Sequence, residues 1–204
     1  MHRWMSGMLS GTALAMTMTA SASAQPIDLP AKSNTSGFSV GLNLNGSAVR
    51  SPEDFKSEGG GLGIRLSYGL NQTVALYLGV DGAALGTSNL TYASAYSVGH
   101  ADLGLRFSLA DSNSATVPYV EGAYSGRAIY QEIGGQDLEL TGNAATFGGG
   151  IQHFFNRRIA LDAGLLFSYG KFTDAKVNGE SFSDSGGDSI WSSRFNLGLR
   201  MHFR

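Results

Sequence analysis

The sequence lacks the residues that several classes of function need. It contains no cysteine, which excludes disulfide scaffolds, cysteine-ligated zinc, iron–sulfur clusters and thiol catalysis. Charged residues make up only 15% of its 204 positions, against about 25% in an average protein. A net charge of −2 provides no basic surface for nucleic acid. After the N-terminus, no apolar run reaches the roughly 18 residues of a membrane-spanning helix. Glycine, by contrast, is abundant, with 29 residues.

The N-terminal residues have the layout of an export signal. Arg3 precedes a mostly uncharged stretch, and an Ala-Ser-Ala segment ends at Ala24. A short basic start, an apolar middle and an A-x-A exit are typical of a cleavable secretory signal. We therefore expect residues 1–24 to be a signal peptide and residues 25–36 a short periplasmic tail. An exported chain without cysteine fits a bacterial envelope better than a disulfide-built secreted domain.

From residue 38 onward, apolar residues alternate with small or polar ones at a period of two, which is the pattern of β-strands. Eight such segments follow one another. The last is the clearest, because apolar residues occupy every second position from Phe195 to Phe203.

The connections between these segments alternate in length. Short turns follow the second, fourth and sixth segments, at residues 71–73, 111–115 and 156–158. Longer polar loops follow the first, third, fifth and seventh, at residues 46–60, 86–92, 131–142 and 173–189. A barrel that spans an outer membrane has this asymmetry, since its turns face the periplasm and its loops face outside. We therefore predict an all-β fold, an eight-stranded antiparallel up-and-down transmembrane β-barrel over residues 37–204, with both termini periplasmic.

The size of the side chains indicates which face meets lipid. The interior of an eight-stranded barrel is just wide enough for side chains to fill, and the polar face here consists mostly of Gly, Ala, Ser and Asn. Lysine, which a water-exposed face would carry, occurs at only four positions, none of them inside a clear strand. The apolar face is therefore predicted to point outward, into lipid. A soluble lipocalin-like carrier, with its apolar face inward, is the alternative fold.

The export signal, the eight alternating segments and the final strand ending near an aromatic resemble the small outer-membrane barrels of Gram-negative bacteria. That family includes the transmembrane domain of outer membrane protein A, outer membrane protein X and the opacity-type surface proteins. The resemblance implies an outer-membrane protein surrounded by lipid and lipopolysaccharide. It also implies that the barrel-assembly machinery reads the final strand through Phe203, the penultimate residue.

Charged residues fall on the predicted inward face of the strands. Isolated buried charges are costly, so they should pair across the lumen, and their near-balance of sign favours a closed, cross-linked interior over a solute pathway. His100 and His202 are expected to join this polar interior. The predicted lumen charge network consists of Arg65, Asp81, Asp102, Arg106, Glu121, Arg127, Asp162, Arg194 and Arg200.

The function predicted from the sequence is envelope integrity, surface recognition through the outer loops, or both, with a surface or host ligand as the partner. The alternative is a narrow channel for small or apolar solutes. A lipid A-modifying barrel enzyme is a further alternative, but no histidine has a serine two positions away that would share its face, as a serine–histidine pair requires. We therefore expect a non-enzymatic protein without catalytic residues. No metal site is predicted either, because neither His100 nor His202 has a second ligand at a metal-site spacing, and no cofactor is predicted.

Overall fold

The strands of this chain form a closed barrel. The computed structural model describes residues 33–50, 56–87, 96–111, 113–133, 135–177, 180–183 and 189–203. The strands are β1 (Gly37–Arg50), β2 (Lys56–Gly69), β3 (Val74–Thr87), β4 (Tyr96–Ser108), β5 (Thr116–Ile133), β6 (Gln136–Phe154), β7 (Ile159–Val177), β8 (Glu180–Ser183) and β9 (Ser189–His202). Among these residues, no helix is long and apolar enough to cross a membrane. The predicted signal peptide and residues 25–32 of the predicted tail lie outside the described residues.

Eight of the strands make a single antiparallel ring. Each long strand from β1 to β7 pairs with the next, β7 pairs with β9, and β9 pairs back with β1. The four-residue β8 pairs only with the far end of β7 and stands outside the ring. The prediction of an eight-stranded, up-and-down barrel is confirmed.

The barrel is polar inside and apolar outside. Along β4, Asp102 is 1% exposed while the neighbouring Leu103 is 56% exposed. The same alternation holds on β9, where Arg194 is 1% exposed and Leu199 is 57% exposed. The predicted orientation of the apolar face is therefore confirmed. The lipocalin-like alternative is wrong, because a soluble carrier needs its apolar face inward.

One end of the barrel, here called the turn end, carries the short connections. Residues 70–73, 109–115 and 155–158 join successive strands there. Asn71 Oδ1 accepts hydrogen bonds from the backbone N–H groups of Thr73 (2.8 Å) and Val74 (2.7 Å). An asparagine that bonds to the backbone two and three residues ahead stabilises a tight turn, and Asn156 does the same in the turn before β7. The predicted short turns are confirmed.

At the opposite end, here called the hairpin end, the strands continue into the segments that are predicted to be loops. Much of the predicted loop 46–60 is paired strand, from Gly46↔Gly60 to Arg50↔Lys56. The predicted loop 131–142 is a hairpin with a connection at residues 134–135 only, where Gly135 has a φ of 80°. The predicted loop 173–189 contains the end of β7 and all of β8.

The remaining predicted loop, 86–92, begins inside β3, which runs to Thr87, and its residues 88–92 lie outside the described residues.

The predicted loops and the observed strand ends differ for a physical reason. Alternation of hydropathy records the boundary between lipid and lumen, and it stops where both faces of a strand meet water, although the backbone pairing continues.

The lipid-facing band is shorter than the strands. On β7 the outward residues are apolar from Ile159 to Tyr169, and exposed Lys171 follows. About 9–11 residues cross a bilayer in a tilted strand, whereas β7 has 19 residues. The ring of Tyr169 lies 4.8 Å from that of Trp191, as expected for an aromatic girdle at the membrane interface. The hairpin end therefore extends beyond the band.

Apolar clusters inside the lumen lie on both sides of its charged middle. At the turn end, Val117, Phe154 and Ala160 pack together. The chain before β1 also docks at this end, where Thr35 Oγ1 donates to the backbone carbonyl of Gln72 at 2.6 Å. At the hairpin end, the apolar side chains that pack together are Val49, Leu85, Tyr96 and Val98.

Candidate functional site

The nine charged residues that the sequence places in the lumen all point inward. Eight of them are at most 9% exposed, and the side chain of Asp81 is 9% exposed. They come from six strands of the ring, so their contacts connect opposite walls of the barrel. They form two groups at different heights.

The turn-side cluster consists of Arg65, Arg106, Glu121, Asp162 and Arg200. Arg65 Nη1 donates to both oxygens of Glu121 at 2.9 Å. Arg106 donates from Nε to Glu121 at 2.8 Å and from Nη1 to Asp162 at 2.5 Å. Arg200 Nη2 lies 3.2 Å from Asp162. Cations and anions therefore alternate without a break across the lumen.

Two tyrosines that are not among the predicted site residues support this cluster. The guanidinium of Arg65 lies 4.3 Å from the ring centre of Tyr77, and that of Arg106 lies 3.6 Å from the ring centre of Tyr119. Such cation–π contacts contribute about 0.5–2 kcal/mol each. Tyr119 also donates from its hydroxyl to Asp162 at 2.7 Å. The sequence does indicate that both tyrosines point inward, because each occupies a position on the polar face of its strand.

Glycine makes room for the Tyr119 hydroxyl. A Cβ added at Gly150 would lie 2.6 Å from this oxygen, and one added at Gly164 would lie 2.5 Å from it. Real Cβ atoms do not approach an oxygen so closely, so a side chain at either position would displace the tyrosine. At Gly150 a Cβ would also overlap the backbone oxygen of Ala163. Part of the glycine excess therefore positions the turn-side cluster.

The hairpin-side cluster consists of Asp81, His100, Asp102, Arg127 and Arg194. Arg194 is its centre, since Nη1 donates to Asp81 at 2.5 Å and Nη2 donates to Asp102 at 2.8 and 3.1 Å. His100 Nδ1 lies 3.0 Å from the other oxygen of Asp81. Arg127 is bound to neither carboxylate and donates from Nη2 to Ser192 Oγ at 2.9 Å.

A row of hydroxyl groups completes the wall beside Asp102. Ser125 Oγ donates to Asp102 at 2.6 Å. Ser125 also lies 2.5 Å from Thr146 Oγ1, which is 2.7 Å from Ser168 Oγ. Hydroxyl groups can both donate and accept, so this row satisfies three buried side chains across β5, β6 and β7 without adding charge.

The described histidines have separate partners. His100 lies in the hairpin-side cluster, and His202 Nε2 is 2.9 Å from Gln152 Nε2 near the turn end. His153, on the outside of β6, is 2.8 Å from Thr116 Oγ1. In the described part of the chain, no three His, Asp or Glu side chains are arranged to hold a metal ion.

The space left within the turn-side cluster is small. The cavity bounded by Arg65, Tyr119, Asp162 and Arg200 has a volume of about 20 Å³, which is about enough for one water molecule. Chemically, this arrangement holds opposite walls of the barrel together.

Comparison with known proteins identifies the family. The family model described as outer membrane protein beta-barrel domain matches residues 11–203. The chain belongs to this family. Membership implies that the protein resides in the outer membrane, in agreement with the apolar band.

Solved structures of outer-membrane barrels share the fold. Neisserial surface protein A is 18% identical, with a TM-score of 0.65, and the match covers 82% of this chain and 98% of that one. Ail, the attachment invasion locus protein of Yersinia pestis, is 13% identical, with a TM-score of 0.56 and coverages of 82% and 99%. The outer membrane protein AlkL is 14% identical, with a TM-score of 0.57 and coverages of 92% and 97%. No curated protein matches this chain.

Proposed function

We propose that this member of the outer-membrane barrel family is a non-enzymatic, closed scaffold that presents its hairpins at the cell surface for recognition, while its cross-linked wall contributes to envelope integrity. The observation that carries the proposal is the continuation of strand pairing beyond the lipid-facing band. A barrel that served only to fill the membrane would not need this extension.

The hairpin formed by β5 and β6 shows the extension best. These strands have 18 and 19 residues, and their pairing continues to Ile133↔Gln136. At about 3.3 Å per residue and a tilt near 40°, the eight or so residues beyond the band rise roughly 20 Å above it. A rigid support of this kind is where binding residues are usually presented.

The charge of the hairpins favours neutral or cationic ligands. The four segments 46–60, 86–92, 131–142 and 173–189 contain three basic residues and ten acidic ones. A complex of Ail with the heparin analogue sucrose octasulfate has the same fold, at 14% identity and a TM-score of 0.56. Because an acidic surface repels a polyanion, the hairpins of this chain are not expected to bind a sulfated ligand of that kind.

The remaining proposed partners belong to the membrane itself. Lipid and lipopolysaccharide would surround the apolar band, and the barrel-assembly machinery would read Phe203. Phe203 donates its backbone N–H to the carbonyl of Phe38 at 2.8 Å, and the two rings are 5.9 Å apart. Phe203 therefore lies where β9 meets β1, the last seam to close in a barrel formed from consecutive strands.

The non-enzymatic part of the proposal rests on the histidines. The partners of His100 and His202 are Asp81 and Gln152 rather than serine, and His153 lies at the turn end. A lipid A hydrolase needs a histidine-activated serine at the outer rim. The described histidines do not supply one.

Surface display can be tested by labelling single cysteines, since the chain has none of its own. Gln136→Cys places a thiol on an exposed hairpin residue, and Asn113→Cys places one on an exposed turn residue. On intact cells, a maleimide attached to a 5-kDa polyethylene glycol, which is too large to pass through porins, should modify Gln136→Cys and not Asn113→Cys. Both variants should react after the outer membrane is permeabilised. Labelling of Asn113→Cys alone on intact cells would reverse the proposed orientation.

Closure of the lumen can be tested in planar bilayers. Because the turn-side cluster leaves a cavity of only about 20 Å³, the wild-type barrel is expected to show no stable conductance steps. Arg106→Ala, which removes contacts to both Glu121 and Asp162, should increase ion leakage if it folds. Regular openings in the wild-type protein would favour the alternative function, a narrow channel.

A further inference from the structure

The lumen of the described barrel contains one more arginine than carboxylates. Arg65, Arg106, Arg194 and Arg200 each contact at least one carboxylate within 3.2 Å. Within the described residues, Arg127 has no carboxylate within 4 Å. It is 7% exposed and donates from Nη2 to Ser192 Oγ. Its Nε is buried and has no hydrogen-bond partner among the residues that the structure describes.

Two more hydrogen-bond donors without a partner among the described residues lie on β1 and β9. They are the hydroxyl of Ser47 and the Nε of Arg194, and both are buried. Ser47 pairs in register with Arg194, and Ser192, which accepts the hydrogen bond of Arg127, lies two residues before Arg194 on β9. These donors therefore lie on the wall of the lumen that Arg127 contacts. Ser47 is 5% exposed.

A buried guanidinium with no carboxylate in contact is costly. Both carboxylates of the hairpin-side cluster, Asp81 and Asp102, bind Arg194 instead. Unbonded N–H and O–H donors beside such a guanidinium match the chemistry of an anion. A water molecule would satisfy the donors but would leave the charge.

The surroundings limit the size of that anion. The apolar cluster of Val49, Leu85, Tyr96 and Val98 packs on the hairpin side of the site, and the ion pairs of Arg194 close the turn side. We propose that Arg127, with Ser192 and Ser47, binds a small monovalent anion the size of a halide within the hairpin half of the lumen. The bound anion neutralises the fifth arginine and completes the hairpin-side cluster.

The test uses bromide as the probe. Folded barrels in lipid vesicles are unfolded with urea in sodium bromide or in sodium gluconate at equal ionic strength, since gluconate is too large for the site. Bromide at about ten times its dissociation constant should lower the unfolding equilibrium constant of the wild-type protein about tenfold, and the effect should saturate. Arg127→Gln should show no difference between the two salts. Arg157→Gln, which changes an exposed turn residue, should respond as the wild-type protein does.

A crystal of the wild-type protein grown in bromide gives a second measurement that needs no variant. An anomalous peak within hydrogen-bond distance of Arg127 is the expected result. The proposal is overturned if the wild-type response is absent, if Arg127→Gln responds equally, or if the position beside Arg127 holds only water.

Discussion

Replacing Asp162 by alanine is expected to lower the free energy of unfolding by about 3–5 kcal/mol, because it breaks a buried ion-pair network from its centre. Asp162 accepts hydrogen bonds from Arg106 at 2.5 Å and from Tyr119 at 2.7 Å, and Arg200 lies 3.2 Å away. Arg106 would keep Glu121, but Arg200 would lose the one carboxylate that it contacts among the described residues. Urea unfolding in lipid vesicles, followed by tryptophan fluorescence, measures the change.

Two further variants show whether the loss of stability comes from breaking the ion-pair network or from removing any carboxylate. Asp174→Ala removes an exposed carboxylate at the hairpin end and should change stability by no more than about 0.5 kcal/mol. Adding Arg200→Met to Asp162→Ala removes the stranded cation and should recover part of the loss. If Asp162→Ala costs no more than Asp174→Ala, the turn-side cluster does not hold the barrel walls together.

The sequence specifies the wall of this barrel better than it specifies the contacts inside. A period of two assigns each residue to one face, so Asp102 and Leu103 could be placed on opposite sides without a structure. The same alternation fails beyond the lipid, where polar residues such as Gln136 and Asp137 occupy both faces. That is why the sequence predicts a loop at residues 131–142, the outer part of the hairpin formed by β5 and β6.

The pairing of charges could not be derived from the sequence for a different reason. Periodicity gives the face of a residue but not its height in the barrel, which depends on the tilt and stagger of all eight strands. Arg65 therefore contacts Glu121, 56 positions away, while Arg127, also on the inward face, contacts no carboxylate in the part of the chain that the structure describes. Charge counting predicted near-balance, but only the register identifies the arginine that is left over.

The second large effect concerns the outside of the barrel. Leu103 is 56% exposed on β4, and its register partners Leu78 and Tyr124 are also exposed. On the surface of a water-soluble protein, changing such a leucine to arginine would be nearly neutral. In a lipid-facing band, Leu103→Arg places a charge in hydrocarbon and should cost about 2–4 kcal/mol near the bilayer midplane.

This substitution is also the most direct test of the central claim, that the apolar face meets lipid and the polar face fills the lumen. The measurement is the free energy of unfolding in lipid vesicles for Leu103→Arg and for Gln136→Arg, which puts the same side chain on the exposed hairpin. The account predicts a loss of about 2–4 kcal/mol for Leu103→Arg and a change within about 0.5 kcal/mol for Gln136→Arg. Equal stability of the two variants would contradict it.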